Sequence, residues 1–133
     1  MPRYMLETNI CIDVTKAVPP TALRDKVDAL ADELCIPVVT FAELHSGAEK
    51  SLRRERSLPA LDDFAMNLEV LPFGRNAATQ YGQLRAELGR AGTPCGPLDI
   101  QIGAHARSEG LIVVTNNLRE FARMPGLRVE NWV

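Results

Sequence analysis

The sequence predicts an α/β fold in which helices flank a mostly parallel sheet. Three observations lead there. Short apolar runs of strand length alternate along the chain with segments whose apolar residues recur at helical spacing. One run, "LIVVT", is apolar throughout, as a strand covered on both faces must be. No repeat, linker or low-complexity segment interrupts the 133 residues, so a single domain, 1–133, is expected.

The elements follow in order. Arg3 to Leu6 reads as a short strand that stops at Glu7. Thr8 or Asn9 then offers a cap for a helix through "ICIDVTK", which ends before Pro19 and Pro20. Thr21 is the expected cap of "ALRDKVDALADE", where Leu23, Val27 and Leu30 share a face. "LCIPVV" is a buried strand ending at Thr40, and Thr40 with Glu43 spells a T-x-x-E capping box opening "FAELHSGAEKS". Leu58 to Leu68 is a further helix, "EVLPF" a third strand, and "NAATQYGQLRAELGRAG" a long helix closing at Gly92. After the turn "TPCGP", the helix "LDIQIGAHARSEG" stops at Gly110. "LIVVT" is the fourth strand, "NNLREFARM" a short helix and "LRVENW" the last strand.

Composition narrows the function. At 46% apolar and 24% charged residues the chain can bury a continuous core and is far from disordered. Its apolar runs are too short to span a bilayer, and "MPRYMLETN" lacks the basic and apolar regions of a signal peptide, so a cytoplasmic protein is the default. A formal net charge of −2 does not suit a protein that grips nucleic acid by bulk electrostatics. The basic run "KSLRRER" is the exception: it is either a solvated helix face or a contact for RNA phosphates or a partner through Lys50, Arg53 and Arg54. Cys11, Cys35 and Cys95 are scattered and odd in number, which reads as structural thiols rather than a zinc or disulfide framework. His45 and His105 lack a second nitrogen at metal spacing and read as local helix-surface or packing residues. No Gly-rich phosphate loop is present.

In a parallel sheet, functional groups gather beyond the carboxyl ends of the strands. Glu7, Glu43, Asp99, Asn116, Asn117 and Glu120 all fall at a strand end or an early helix turn. Each alone has an ordinary explanation, since acids complement helix N-termini. Together on one rim they would repel and raise each other's pKa unless a cation lay between them. Oxygen-only ligation suits Mg²⁺ or Mn²⁺.

"MLETN", "PVVTFAEL", "GPLDIQIGAHA" and "GLIVVTNNLREF", in this order and with the closing "ENW", resemble PIN-domain endoribonucleases of the VapC type, the toxins of bacterial toxin–antitoxin pairs. The resemblance covers essentially the whole chain. It implies a PIN-like three-layer sandwich around a central mostly parallel sheet, and Mg²⁺- or Mn²⁺-dependent cleavage of RNA. Several such proteins cut initiator tRNA in its anticodon loop. It implies catalytic residues at Glu7, Glu43, Asp99, Asn117 and Glu120, with Glu7, Glu43 and Asp99 as metal ligands. Thr8, Asn9, Thr115 and Asn116 would orient them, Asn117 would offer a neutral oxygen, and Glu120 would orient water. A homodimer is implied, silenced by a VapB-type antitoxin that covers the active site and mediates contact with operator DNA.

One departure stands out. The family's first acid is almost always Asp, and here it is Glu7. An extra methylene moves the carboxylate by roughly 1.5 Å and adds a torsion. Misplacement on that scale costs an active site ~100-fold in rate. Glu7 is either a tolerated natural residue or a substitution that lets a toxic nuclease be produced. Two other readings compete: a PIN module whose chemistry Glu7 has spoiled, acting through antitoxin or RNA binding, and a phosphoacceptor receiver domain. The receiver fares poorly, because its central strand ends would need an Asp acceptor and a Lys, and Thr40 and Thr115 stand there instead.

Overall fold

The computed structural model describes residues 1–133. Five strands form one sheet in the order β3-β2-β1-β4-β5, with every neighbouring pair parallel. They are β1 (Tyr4–Leu6), β2 (Leu34–Pro37), β3 (Glu69–Leu71), β4 (Ile112–Val114) and β5 (Arg128–Glu130). The helices are α1 (Thr8–Val14), α2 (Thr21–Ala29), α3 (Val38–Glu49), α4 (Arg54–Met66), α5 (Arg75–Arg90), α6 (Pro97–Glu109) and α7 (Leu118–Phe121). None is long and apolar enough to cross a membrane.

Alternation along each strand divides the core into two layers. Met5 lies in register with Cys35 on one side and Val113 on the other, and all three face the cluster built with Leu84, Leu88, Ala104 and Phe121. Their neighbours Tyr4, Leu6, Leu34, Ile36, Ile112 and Val114 face the opposite cluster, with Ile10, Leu23 and Trp132. Trp132 closes that layer edge-on to Tyr4, with ring centroids 5.0 Å apart. The sandwich expected from the sequence is therefore the observed one. β1 lies at its centre, so the residue that follows β1 enters the middle of the carboxyl rim.

Several local expectations are corrected. α1 is capped by Glu7, whose carboxylate accepts the Ile10 N–H at 3.2 Å. The strand runs into the helix with only Glu7 between, so Thr8 is already helical and its hydroxyl is free for other work. Thr21 is the first residue of α2 behind Pro20 and makes no cap. That helix ends at Ala29, and a separate 3-10 turn, Ala31–Glu33, delivers the chain to β2.

β2 stops at Pro37, three residues before the expected Thr40. Val38, Val39 and Thr40 form the first turn of α3, since β-propensity yields where the tertiary path turns. The capping box is therefore not formed, and the hydroxyl of Thr40 points elsewhere. α4 begins at Arg54 rather than Leu58, with Pro59 inside it rather than near its start. The stop at Gly110 holds: its φ of 68° is the left-handed conformation that glycine adopts without strain.

Candidate active site

The carboxyl ends of β1, β2 and β4 and the first turns of the helices beside them collect the acids. Glu7 is only 2% exposed, an unusual place for a carboxylate. It is held by neutral donors: the N–H groups of Asn9 and Ile10 and the hydroxyl of Thr115, itself fully buried at the end of β4. Glu43 is reached through Thr8, whose hydroxyl donates to Glu43 Oε1 at 2.7 Å and lies 3.2 Å from Thr40 Oγ1. Asp99, in the first turn of α6, shares a hydrogen bond with Glu120. Glu120 also accepts the Gly96 N–H at 3.4 Å.

Asn117 turns its amide nitrogen, not the expected oxygen, toward the acids, 3.4 Å from Asp99 Oδ2 and 3.5 Å from Glu120 Oε2. Its own backbone N–H is held by Thr115 Oγ1 at 2.9 Å, so Thr115 ties Glu7 to the Asn117 loop. Asn9 contributes through its backbone, while Asn116 is exposed and makes no hydrogen bond to the cluster.

Lys50, Arg53 and Arg54 do not reach the acids. Lys50 follows the far end of α3, about 10 Å along the helix from Glu43. Arg54 is paired with Glu49 at 2.6 Å, whereas Lys50 and Arg53 enter no salt bridge. His45 and His105 remain outside the cluster beside Glu49 and Glu109. Cys11 and Cys35 are buried as expected, and Cys95 is half-buried with its thiol 3.5 Å from the Glu120 carbonyl.

Thr40 was missed as a member of this site because the T-x-x-E spacing reads as a capping box. The signal was present all the same: once the helix begins at Val38, Thr40 and Glu43 are three residues apart and share a face.

No Lys or Arg pairs with Glu7, Glu43, Asp99 or Glu120. Burial therefore pushes the Glu7 carboxyl above its ordinary range, against its hydrogen bonds and with the charge of Glu43 adding to the rise. Asp99 is raised to about 7 by burial, then by the hydrogen bond and charge of Glu120 and the charges of Glu7 and Glu43. Glu120 is lowered, chiefly by the hydrogen bond from Asp99, so the two carboxyls titrate as a pair that shares one proton. The donor set is all oxygen and short of positive charge, which is the chemistry a hard divalent cation satisfies. Asp99 and Glu120 touch, but no three acidic, histidine or cysteine side chains converge closely enough to hold an ion, so Glu7, Glu43 and Asp99 would have to draw together around one.

Comparison with known proteins agrees with this architecture. The PIN domain family matches residues 4–127. The tRNA(fMet)-specific endonuclease VapC of Salmonella typhimurium is 49% identical over 132 residues, 99% of each chain. Among solved structures, DNA-bound VapBC from Salmonella typhimurium aligns with a TM-score of 0.95 at 49% identity over all of both chains. VapBC2 from Rickettsia felis, bound to a promoter DNA fragment, aligns at 0.91 with 37% identity over 98% of each.

The raised carboxyl of Asp99 gives a pH dependence whose sign follows from linkage. Between its ordinary 3.8 and about 7 the unfolded chain releases this proton while the folded chain keeps it, so stability falls as pH rises through that window. The lowered Glu120 opposes part of the effect. Asp99→Asn removes the titration, so in metal-free buffer its stability relative to the parent should rise from pH 4 to pH 8. Urea midpoints for both proteins across that range test this; a constant difference would contradict it.

Proposed function

The chain belongs to the PIN-domain family and within it to the VapC toxins, and from there we propose that it is a Mg²⁺- or Mn²⁺-dependent endoribonuclease that cuts initiator tRNA. It works as the toxin of a toxin–antitoxin pair, held in check by a VapB-type antitoxin, with residues 1–133 forming a single PIN domain. The observation that carries this reading is the pair of raised carboxyls, Glu7 and Asp99, on a rim where no basic side chain pairs with an acid. A site of that charge repels an RNA phosphate unless something positive intervenes.

Glu7, Glu43 and Asp99 would hold the cation. When bound, it supplies Lewis-acid stabilisation to the phosphodiester and a lower pKa to the attacking water. The chain's own residues do the rest. Thr115 and the N–H groups of Asn9 and Ile10 fix the direction of Glu7, and Thr8 fixes Glu43. The proton that Asp99 shares with Glu120 has to leave before Asp99 offers a full charge to a ligand. Asn117 then releases Asp99 or follows it, since its amide can rotate to present either end.

A second reading, a catalytically impaired PIN module acting through antitoxin or RNA binding, is favoured by one observation. The longer Glu7 is turned back onto the N-terminus of α1, where it serves as a helix cap.

The first test is direct. Purified protein with Mg²⁺ or Mn²⁺ should cut initiator tRNA; excess EDTA should abolish cleavage, and so should Asp99→Asn. Full cleavage in EDTA would sink the metal-dependent reading.

Glu7→Asp separates the two readings. Asp is among the preferred capping residues, so α1 keeps its cap while the ligand shortens and loses a torsion. Initial rates should rise by up to ~100-fold if Glu7 attenuates the site. A variant no faster at saturating Mn²⁺ or limiting Mg²⁺ would show that the rim has accommodated Glu7.

The antitoxin should place an arginine among these carboxylates, because a guanidinium pairs with two carboxylate oxygens at once. Replacing that arginine with alanine should weaken the complex by at least tenfold in a titration. Unchanged affinity would mean that the antitoxin docks elsewhere.

A further inference from the structure

We propose that the groove between α3 and α4, opening from the acid cluster, is a pocket for one unstacked nucleobase of the RNA substrate. Lys50 and Arg53 hold the strand's phosphates at its far end. This deepens the ribonuclease reading and rests on it for the position of the scissile phosphate.

The groove is a cavity of about 350 Å³ whose walls include Ile12, Leu44, Leu61 and Phe64. Thr8 and Glu43 belong both to its near end and to the acid cluster, so a phosphate at the acids has its neighbouring base at the groove's mouth. Phe64 supplies an aromatic surface and Ile12 an exposed apolar one, the kind of wall on which a splayed base stacks whatever its identity.

Base identity can be read by two hydroxyls in the lining. Ser51 Oγ accepts from the Arg53 N–H at 3.1 Å and from Ser57 Oγ at 3.0 Å, so its own proton is available to a base edge. Thr15, also in the lining, shares its one hydroxyl proton between the Cys11 and Ile12 carbonyls, both at 3.0 Å, which leaves Oγ1 only its lone pairs to offer. One donor and one acceptor in an apolar slot are what discrimination by a Watson–Crick edge requires.

Charge sets the occupant and its direction. The near end is acidic, while Lys50 and Arg53 are exposed and unpaired just past the last turn of α3. The about 10 Å between them along α3 is a distance that an extended strand covers in a nucleotide or two. Arg54 is excluded from this role by its bond to Glu49.

Gly47 provides the test. It lines the groove, and a Cβ built there meets nothing within 4 Å, so Gly47→Leu fills the pocket without straining α3. The probe is an anticodon stem-loop RNA with 2-aminopurine walked through the loop, its fluorescence followed during titration. That titration is run with Ca²⁺ replacing Mg²⁺ and without EDTA, so that an oxygen-ligated cation offsets the acids. At one position the parent should quench the fluorophore, while Gly47→Leu and Phe64→Leu should not, and both should bind about tenfold more weakly.

In cleavage assays, an abasic nucleotide at that position should lower the parent's kcat/KM to the level of Gly47→Leu and lower Gly47→Leu no further. Lys50→Ala should weaken binding equally for every base and reduce its salt dependence. Parent-like quenching and base preference in Gly47→Leu would overturn the proposal. If that variant instead loses only antitoxin affinity, the groove belongs to the protein partner. A parent that quenches yet cuts nothing would sink the ribonuclease reading and leave the pocket standing.

Discussion

Glu7 takes a carboxylate out of water in the middle of the sheet's carboxyl edge, and the only groups compensating it are neutral. Two peptide N–H groups and a hydroxyl can orient a negative charge, but they do not cancel it as a guanidinium would. Asp99 and Glu120 relieve their own repulsion differently, by keeping one proton between them. The rest of the rim follows from these two arrangements. Thr8 and Thr115 sit where they do because each acid needs a donor that brings no charge of its own.

The sheet makes such crowding sustainable. Its strands are only three or four residues long, yet β1 is flanked on both sides and its residues are buried. Two apolar layers, with Met5 and Phe121 in one and Leu6 and Trp132 in the other, clamp the strand that delivers Glu7. The cost of a polarised edge is therefore carried by a core that the acids do not touch. A domain with a single apolar layer would have less to set against it.

Much of this was legible in the sequence. Alternation of apolar strands with helices gave the architecture, and the rule that ligands gather beyond strand ends brought Glu7, Glu43, Asp99 and Asn117 together before any coordinates. What the sequence concealed was local. "PVVT" is rich in β-branched residues and reads as strand, yet the path requires α3 to begin at Val38, which changes Thr40 from a cap into a partner of Thr8. Glu7 reads as a ligand in the sequence, and the structure shows it capping α1, because nothing in the sequence says how abruptly β1 gives way to α1. The direction of the Asn117 amide was hidden for a simpler reason: it is decided by its neighbours' protons.

Thr8 and Glu43 lie on the boundary between the acid cluster and the groove, wall residues of one and members of the other. The two regions therefore cannot diverge independently. A change that reshapes the groove near its mouth also shifts the hydroxyl that steers Glu43, and a change that retunes Glu43 alters the groove's outline. Lineages exploring new partners at this surface would have to move through paired substitutions, so the order in which mutations arise matters as much as which ones do. Diversification should be easiest at the far end, around Ser51 and Ser57, where the groove no longer shares a side chain with the acids.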